Sequence, residues 1–278
     1  MNHKIIRKIT SLLCAIVIFA SVSVFLCGGA SAKEVRFSGF GSIDSASAVV
    51  TSETVSYTRK EESYIELNKK VPYYYQMSEL PNSCGPTAGA TVVGYYDKYY
   101  EELIPGFVSY YPATGAYKKI DNIYIPNLMQ ELYTLMRTNV DDVGVSQSDC
   151  LNGLKTYVNN QGYSISFNSL KNGNTVDDSL AAAAINDGQP SMLFCSKTDL
   201  KIVMTYTNED EITCISYSGA HIVVAYGLYI IKYYDDEDNN FRTDKYLNVS
   251  SGLAEWSNGM ILLNSTDWLV DAYSVKIS

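Results

Sequence analysis

Residues 71–96 constrain this chain more than any other stretch. They read Val71-Pro72-Tyr73-Tyr74-Tyr75-Gln76, then a turn, then Pro81-Asn82-Ser83-Cys84-Gly85-Pro86-Thr87-Ala88-Gly89-Ala90-Thr91-Val92-Val93-Gly94-Tyr95-Tyr96. A short β-like run ends at a glutamine, and a cysteine stands where a helix begins, with Ser83 placed to cap it and Pro86 tolerated in its first turn. The first N–H groups of a helix have no partner inside it and carry partial positive charge. A thiol there is biased toward thiolate, and the same amides can receive an oxyanion. Gln76, at the end of the preceding run, can bring a second oxyanion donor from its side chain. Ala88, Val92, Tyr95, Tyr96 and Tyr99 recur at three- and four-residue spacing, which predicts a helix over 84–102 ended by Pro105-Gly106. Asp97 and Lys98 on it read as solvated.

A thiol nucleophile needs a base, and the only histidines are His3 and His221. His3 falls within residues 1–32, which read as a secretory signal: Lys4, Arg7 and Lys8 form a basic start, residues 11–27 are apolar, and Ala30-Ser31-Ala32 is a small-residue cleavage site. An uncleaved membrane anchor is the alternative, since the apolar run is long for a signal core. Export removes His3 and leaves His221, in the glycine-bounded β run Gly219-Ala220-His221-Ile222-Val223-Val224-Ala225-Tyr226-Gly227. It follows Cys84 by 137 residues, within the roughly 130–150 that separate nucleophile and base in the papain order.

These residues carry a family resemblance. The Gln76…Asn82-x-Cys84-Gly85-Pro86-Thr87-Ala88 segment, the Gly219-x-His221-x-Val223-Val224 strand and the Asn186-Asp187-Gly188-Gln189-Pro190-Ser191 run between them resemble the papain-like cysteine peptidases related to bacteriocin-leader (double-glycine) peptidases, the peptidase family C-thirty-nine-like group. The resemblance covers about residues 70–250, and the cysteine segment is its most specific part. It implies Cys84 as nucleophile, His221 as base, Gln76 in the oxyanion hole, and an Asp or Asn after His221 to orient the imidazole. Relatives carry Asp followed by Pro at that last position. Here Tyr246-Leu247-Asn248-Val249 offers Asn248, whose amide oxygen can accept the imidazole N–H, and Asp244 is the second candidate. Trp256 is placed to shield that bond. No transporter domain accompanies the segment, so the leader peptidases' Gly-Gly specificity is not carried over.

Composition narrows the partners. Without residues 1–32 the chain keeps 18 Lys and Arg against 30 Asp and Glu, a net charge of −12, which disfavours nucleic acid and anionic surfaces. The excess acid could favour basic peptides, though solubility explains it. Of six cysteines, Cys84, Cys150, Cys195 and Cys214 remain. Cys195 and Cys214 lie in β-like runs that could be adjacent and bridged, and Cys150 reads as a buried apolar residue on a helix. With one histidine and no Cys-x-x-Cys pair, a metal or other cofactor is not expected. The run Asp235-Asp236-Glu237-Asp238-Asn239-Asn240 alternates like a calcium loop, but Phe241 and Leu247 stand where an EF-hand needs Gly and Glu, so it reads as a solvated hairpin tip.

The remaining pattern is helices first and strands second. Helices are expected over 126–136, over 146–162 with Ser146 as cap, and over 180–186 after a Thr175…Asp178 capping arrangement. Strands are expected near 163–167, 191–195, 202–206, 212–217, 220–226, 229–234, 245–249, 260–263 and 269–277. The length and the 46% hydrophobic content suit one core of roughly 200 residues. The expected plan is α+β: a signal over 1–32, a Ser/Thr/Val-rich extension over 33–70 read as a flexible arm, a loosely attached strand or a short propeptide, and a catalytic domain over 71–278. The resemblance implies a papain-like fold, its N-terminal helical lobe carrying the Cys helix and its C-terminal antiparallel lobe carrying the His. The expected activity is that of a secreted, monomeric cysteine peptidase acting on a peptide or protein. Transamidation by the same groups and a catalytically silent binding protein at the cell exterior are the alternatives.

Overall fold

The computed structural model describes residues 34–38, 48–67, 70–100, 102–140, 143–264 and 267–278. The expected signal lies outside them. In chain order the elements are β1 (Arg36–Phe37), β2 (Val49–Ser56), β3 (Arg59–Glu66), α1 (Cys84–Tyr96), α2 (Tyr124–Leu135), β4 (Val145–Ser146), α3 (Gln147–Asn160), β5 (Ile165–Ser169), β6 (Lys171–Asn172), β7 (Thr175–Val176), α4 (Asp178–Asn186), β8 (Ser191–Cys195), β9 (Thr198–Tyr206), β10 (Glu209–Tyr217), β11 (His221–Tyr234), β12 (Asn240–Ser250), β13 (Asn258–Leu262) and β14 (Leu269–Ile277). The class is α+β. Ten strands form one antiparallel sheet in the order β2-β10-β9-β13-β12-β11-β8-β14-β5, with β3 paired to β11 off that path.

Helix α1 is buried along its whole length, as befits a helix apolar on every side. Its glycines make that possible. A Cβ on Gly85 would stand 2.7 Å from Val145 Cγ1, and one on Gly94 2.8 Å from the Tyr74 ring. Both are closer than side chains tolerate, so the neighbours reach the helix backbone itself. The helix stops at Tyr96, short of the expected residue 102, because Asp97 turns its carboxylate forward: Oδ1 accepts from Ile104 N–H at 2.9 Å and Oδ2 from Ser109 N–H at 2.9 Å. Asp97 is buried, not solvated. Helices α2 and α3 pack on α1 through Leu132, Leu154 and Met136. Ser146 caps α3 as expected, accepting from Asp149 N–H at 3.0 Å. For α4 the cap is Asp177, which accepts from Ser179 and Leu180 N–H, while Thr175 belongs to β7.

Strand β11 is the spine of the sheet. The two runs expected over 220–226 and 229–234 are one strand, because Gly227 continues the ladder. One edge of β11 pairs with β12, and the other with β8 over residues 221–225 and with β3 over 227–234. Residues 49–66, within the extension read from sequence as a flexible arm or a loosely attached strand, are firmly paired strands: β2 pairs with β10 along all its residues and β3 does so with β11. Their β-branched and charged residues lie mostly toward solvent, so composition gave no sign of a buried face. Buried Asp210 of β10 locks this end, accepting from Lys60 Nζ at 3.0 Å, Tyr57 Oη at 3.2 Å and Tyr233 Oη at 2.9 Å. The hairpin tip before Asn240 is solvated as expected, with Asp235 accepting from Glu237 and Asn239 N–H.

Replacing Asp210→Ala removes the buried acceptor shared by Lys60, Tyr57 and Tyr233, while the Lys60 ammonium keeps Glu62 at 2.8 Å. The expected cost is about 1–3 kcal/mol, that of leaving buried donors without their acceptor. Urea unfolding should lose that much stability in a single transition, reporting 49–66 and the rest of the sheet as one unit.

Candidate active site

Cys84 is the first residue of α1 and 1% exposed. Ser83 occupies the N-cap without making a side-chain cap bond, so the first-turn amides are left to the sulfur. Backbone N–H groups of Cys84, Gly85 and Ile222 point at it, each favouring a thiolate, yet burial outweighs them and pushes the thiol up to about 12. The thiolate bias expected from the helix start is thus overturned in this state by desolvation. The Ile222 contact also places the sulfur against the residue that follows His221.

His221 opens β11, after Gly219 at φ 135°, a backbone setting that side-chain-bearing residues rarely adopt. It is fully buried and stands opposite Cys195 on β8. Its Nε2 lies 2.7 Å from the carbonyl oxygen of Ser251. A carbonyl only accepts, so Nε2 carries the proton and Nδ1 is the basic nitrogen. Burial lowers the imidazole from an ordinary 6.5 to about 4, so it is neutral at physiological pH.

The loop after β12 holds that carbonyl still. Ser251 N–H donates to Ser257 O at 3.1 Å, Leu253 N–H donates to Ser251 Oγ at 3.0 Å, and Ser251 Oγ donates to Trp256 O. Gly252 of the same loop accepts from Gln76 N–H at 2.9 Å and abuts Thr87 of α1. One short loop therefore joins three of the expected site residues: it orients His221, fixes the backbone of Gln76 and touches the Cys84 helix. Gln76 Nε2 is buried with no hydrogen-bond partner among the described residues, an arrangement that native proteins avoid unless the donor has another use.

The two residues expected to orient the imidazole are not brought to it. Asn248 sits opposite Gly227, six residues along β11 from His221, and its amide donates to Tyr64 Oη at 3.0 Å. Asp244 lies farther still, opposite Ile231, where it binds Arg242 and Tyr246. The carbonyl of Ser251 does the work assigned to them. A main-chain oxygen has no residue type to betray it. The only sequence signal was positional, the Ser250-Ser251-Gly252 turn just past the strand.

Two more thiols surround the site. Cys150 Sγ lies 3.4 Å from where a Gly85 side chain would start, and Cys195 lies in register with His221. Cys84, Cys150, Cys195 and Cys214 are all free, so the possible Cys195–Cys214 bridge does not form; Cys214 pairs instead with Lys201 and Thr51. Among the described residues no group of three or more His, Cys, Asp and Glu could hold a metal ion, and no helix is long and apolar enough to cross a membrane. Comparison with protein-family models, with curated proteins and with solved structures finds no match.

The depressed imidazole pKa has a stability consequence of fixed sign. Between pH 6.5 and about 4 the unfolded chain binds a proton at His221 that the folded chain does not, so folding stability falls by about 1.4 kcal/mol for each pH unit of acidification across that window. Chemical unfolding measured from pH 7 to 4 should show a correspondingly shallower loss in His221→Gln than in the parent.

Proposed function

We propose that this protein is a cysteine-type amide hydrolase, a peptidase of papain-like chemistry, with Cys84 as nucleophile and His221 as general base. The observation that carries the reading is the convergence on loop 251–257: its Ser251 carbonyl sets the tautomer of the lone described histidine, and its Gly252 carbonyl anchors the backbone N–H of Gln76, whose buried Nε2 has no partner among the described residues. The Cys84 sulfur meets the same strand at Ile222. A helix carrying the thiol beside an antiparallel sheet carrying the imidazole is also the layout that the family resemblance implies.

In the reaction so proposed, Nδ1 of His221 takes the Cys84 proton as the sulfur attacks the substrate carbonyl. The tetrahedral oxyanion is met by Gln76 Nε2–H and the Cys84 N–H. The imidazolium protonates the leaving amine, which departs and leaves a thioester. Water, giving a proton to Nδ1, then attacks the thioester; the C–S bond breaks, the acid departs, and the imidazolium returns the proton to the Cys84 sulfur. With the thiol near 12 and the imidazole near 4, both groups are neutral in the buried state, so this state is latent. The ion pair is favoured only once water or substrate relieves the desolvation. The leader-like residues 1–32 support an activity exerted outside the cell.

Peptide-library cleavage tests the assignment. Cys84→Ala and His221→Ala are each expected to remove at least about a thousandfold of kcat, and Gln76→Ala roughly a hundredfold or more with little change in KM. Asn248→Ala, away from the imidazole, should leave kcat within about threefold. A parent that cleaves nothing, and whose Cys84 reacts with E-64 no faster than an ordinary thiol, would instead make this a binding protein.

Latency is checked separately by alkylation. In the folded protein, iodoacetamide labelling of Cys84 at pH 7 is expected to be slow and to keep rising tenfold per pH unit beyond pH 9, where an exposed thiol levels off. Peptide mass spectrometry of the labelled protein reads this directly.

A further inference from the structure

The loop that holds His221 has a second face. Its Ala254 and Ser257, together with residues 70–73 and Tyr75 leading into Gln76, form two walls of a cavity of about 640 Å³, and residues 115–120 form the third. Two of the three walls are thus continuous with the catalytic groups.

The chemistry of the lining departs from that of the molecule. The chain has 30 acidic residues against 21 basic ones, yet the cavity is lined by Lys70, Lys118 and Lys119 and by no Asp or Glu. The ammonium of Lys118 rests over the rings of Phe107 and Tyr111, at 5.0 and 5.8 Å, neither of which lines the cavity, so the charge offered to an occupant comes from Lys70 and Lys119. Lys70 and Lys119 are exposed, and neither forms an ion pair among the described residues. Tyr73 and Tyr117 also line the cavity. Their hydroxyls are engaged, with Tyr226 Oη at 3.2 Å and with the Tyr95 carbonyl at 3.0 Å, so they offer ring surface. Lysines around aromatic walls suit a carboxylate carried on a short aliphatic stem.

We propose that this cavity is a specificity subsite for acidic side chains of a peptide substrate, Asp or Glu beside the scissile bond. The proposal rests on the hydrolase reading for its meaning but not for its detection, because the cavity is open while Cys84 and His221 are buried. It also reverses what net charge alone suggests, a preference for basic peptides.

The test separates binding from cleavage. Full-length Cys84→Ala protein is titrated into a fluorescein-labelled hexaglutamate peptide and into the matched hexaglutamine peptide, with anisotropy as readout. Hexaglutamate should bind tighter, and the advantage should shrink with salt. Lys70→Glu with Lys119→Glu should weaken it roughly tenfold while leaving hexaglutamine unaffected. Both lysines are exposed, and an unchanged melting temperature confirms that the double variant is folded. Equal binding of the two peptides, or indifference to the double reversal, overturns the subsite. Should the acidic preference appear while the parent cleaves no library peptide, the subsite stands and the hydrolase reading falls. If the parent cleaves neutral and acidic peptides alike, with the double reversal unchanged, the hydrolase stands and the subsite falls.

Discussion

Everything at the candidate site depends on how closely other backbone and side chains approach helix α1. Had Gly85 a side chain it would collide with Val145, and the start of the helix could not lie against β11, where Ile222 N–H meets the sulfur. Small residues at 85, 88, 89, 90 and 94 make the helix a slender rod that the fold can enclose on every side. The enclosure sets both the geometry of the site and its electrostatics.

The two effects of enclosure oppose each other. Three amides around Cys84 would draw the thiol toward ionisation, but desolvation of a fully buried sulfur is larger and holds it protonated. Burial likewise holds His221 neutral. A reactive cysteine pair needs the field of the amides without the full cost of dehydration. That condition would be met by polar matter, whether water or a peptide carbonyl, beside the sulfur.

Much of this was legible in the sequence, and the exceptions have one physical origin. The Cys84 helix, the Ser146 cap, the solvated tip before Asn240 and the α+β plan follow from short-range chemistry that residue types declare. Asn248 and Asp244 were candidates because side chains are what a sequence displays, whereas the imidazole is bound by a main-chain oxygen at Ser251. The extension over 49–66 looked loose for a related reason: its place is secured by backbone pairing and by Lys60 reaching Asp210, two residues 150 positions apart in the chain. Asp97 looked like a surface charge until the backbone curled round to bond it. Interactions between neighbours in the chain are written in composition and period. Those closed across the fold are not.

The pairing of β2 with β10 and of β3 with β11 also imposes an order on assembly. A chain that emerges from its N-terminus presents these two strands long before their partners exist, and loop closure across some 150 residues is slow. The first-made strands are therefore among the last to dock. Until they do, the distal half of β11 is an uncapped sheet margin able to recruit a neighbouring molecule, so crowding during biogenesis endangers the strand that begins with His221.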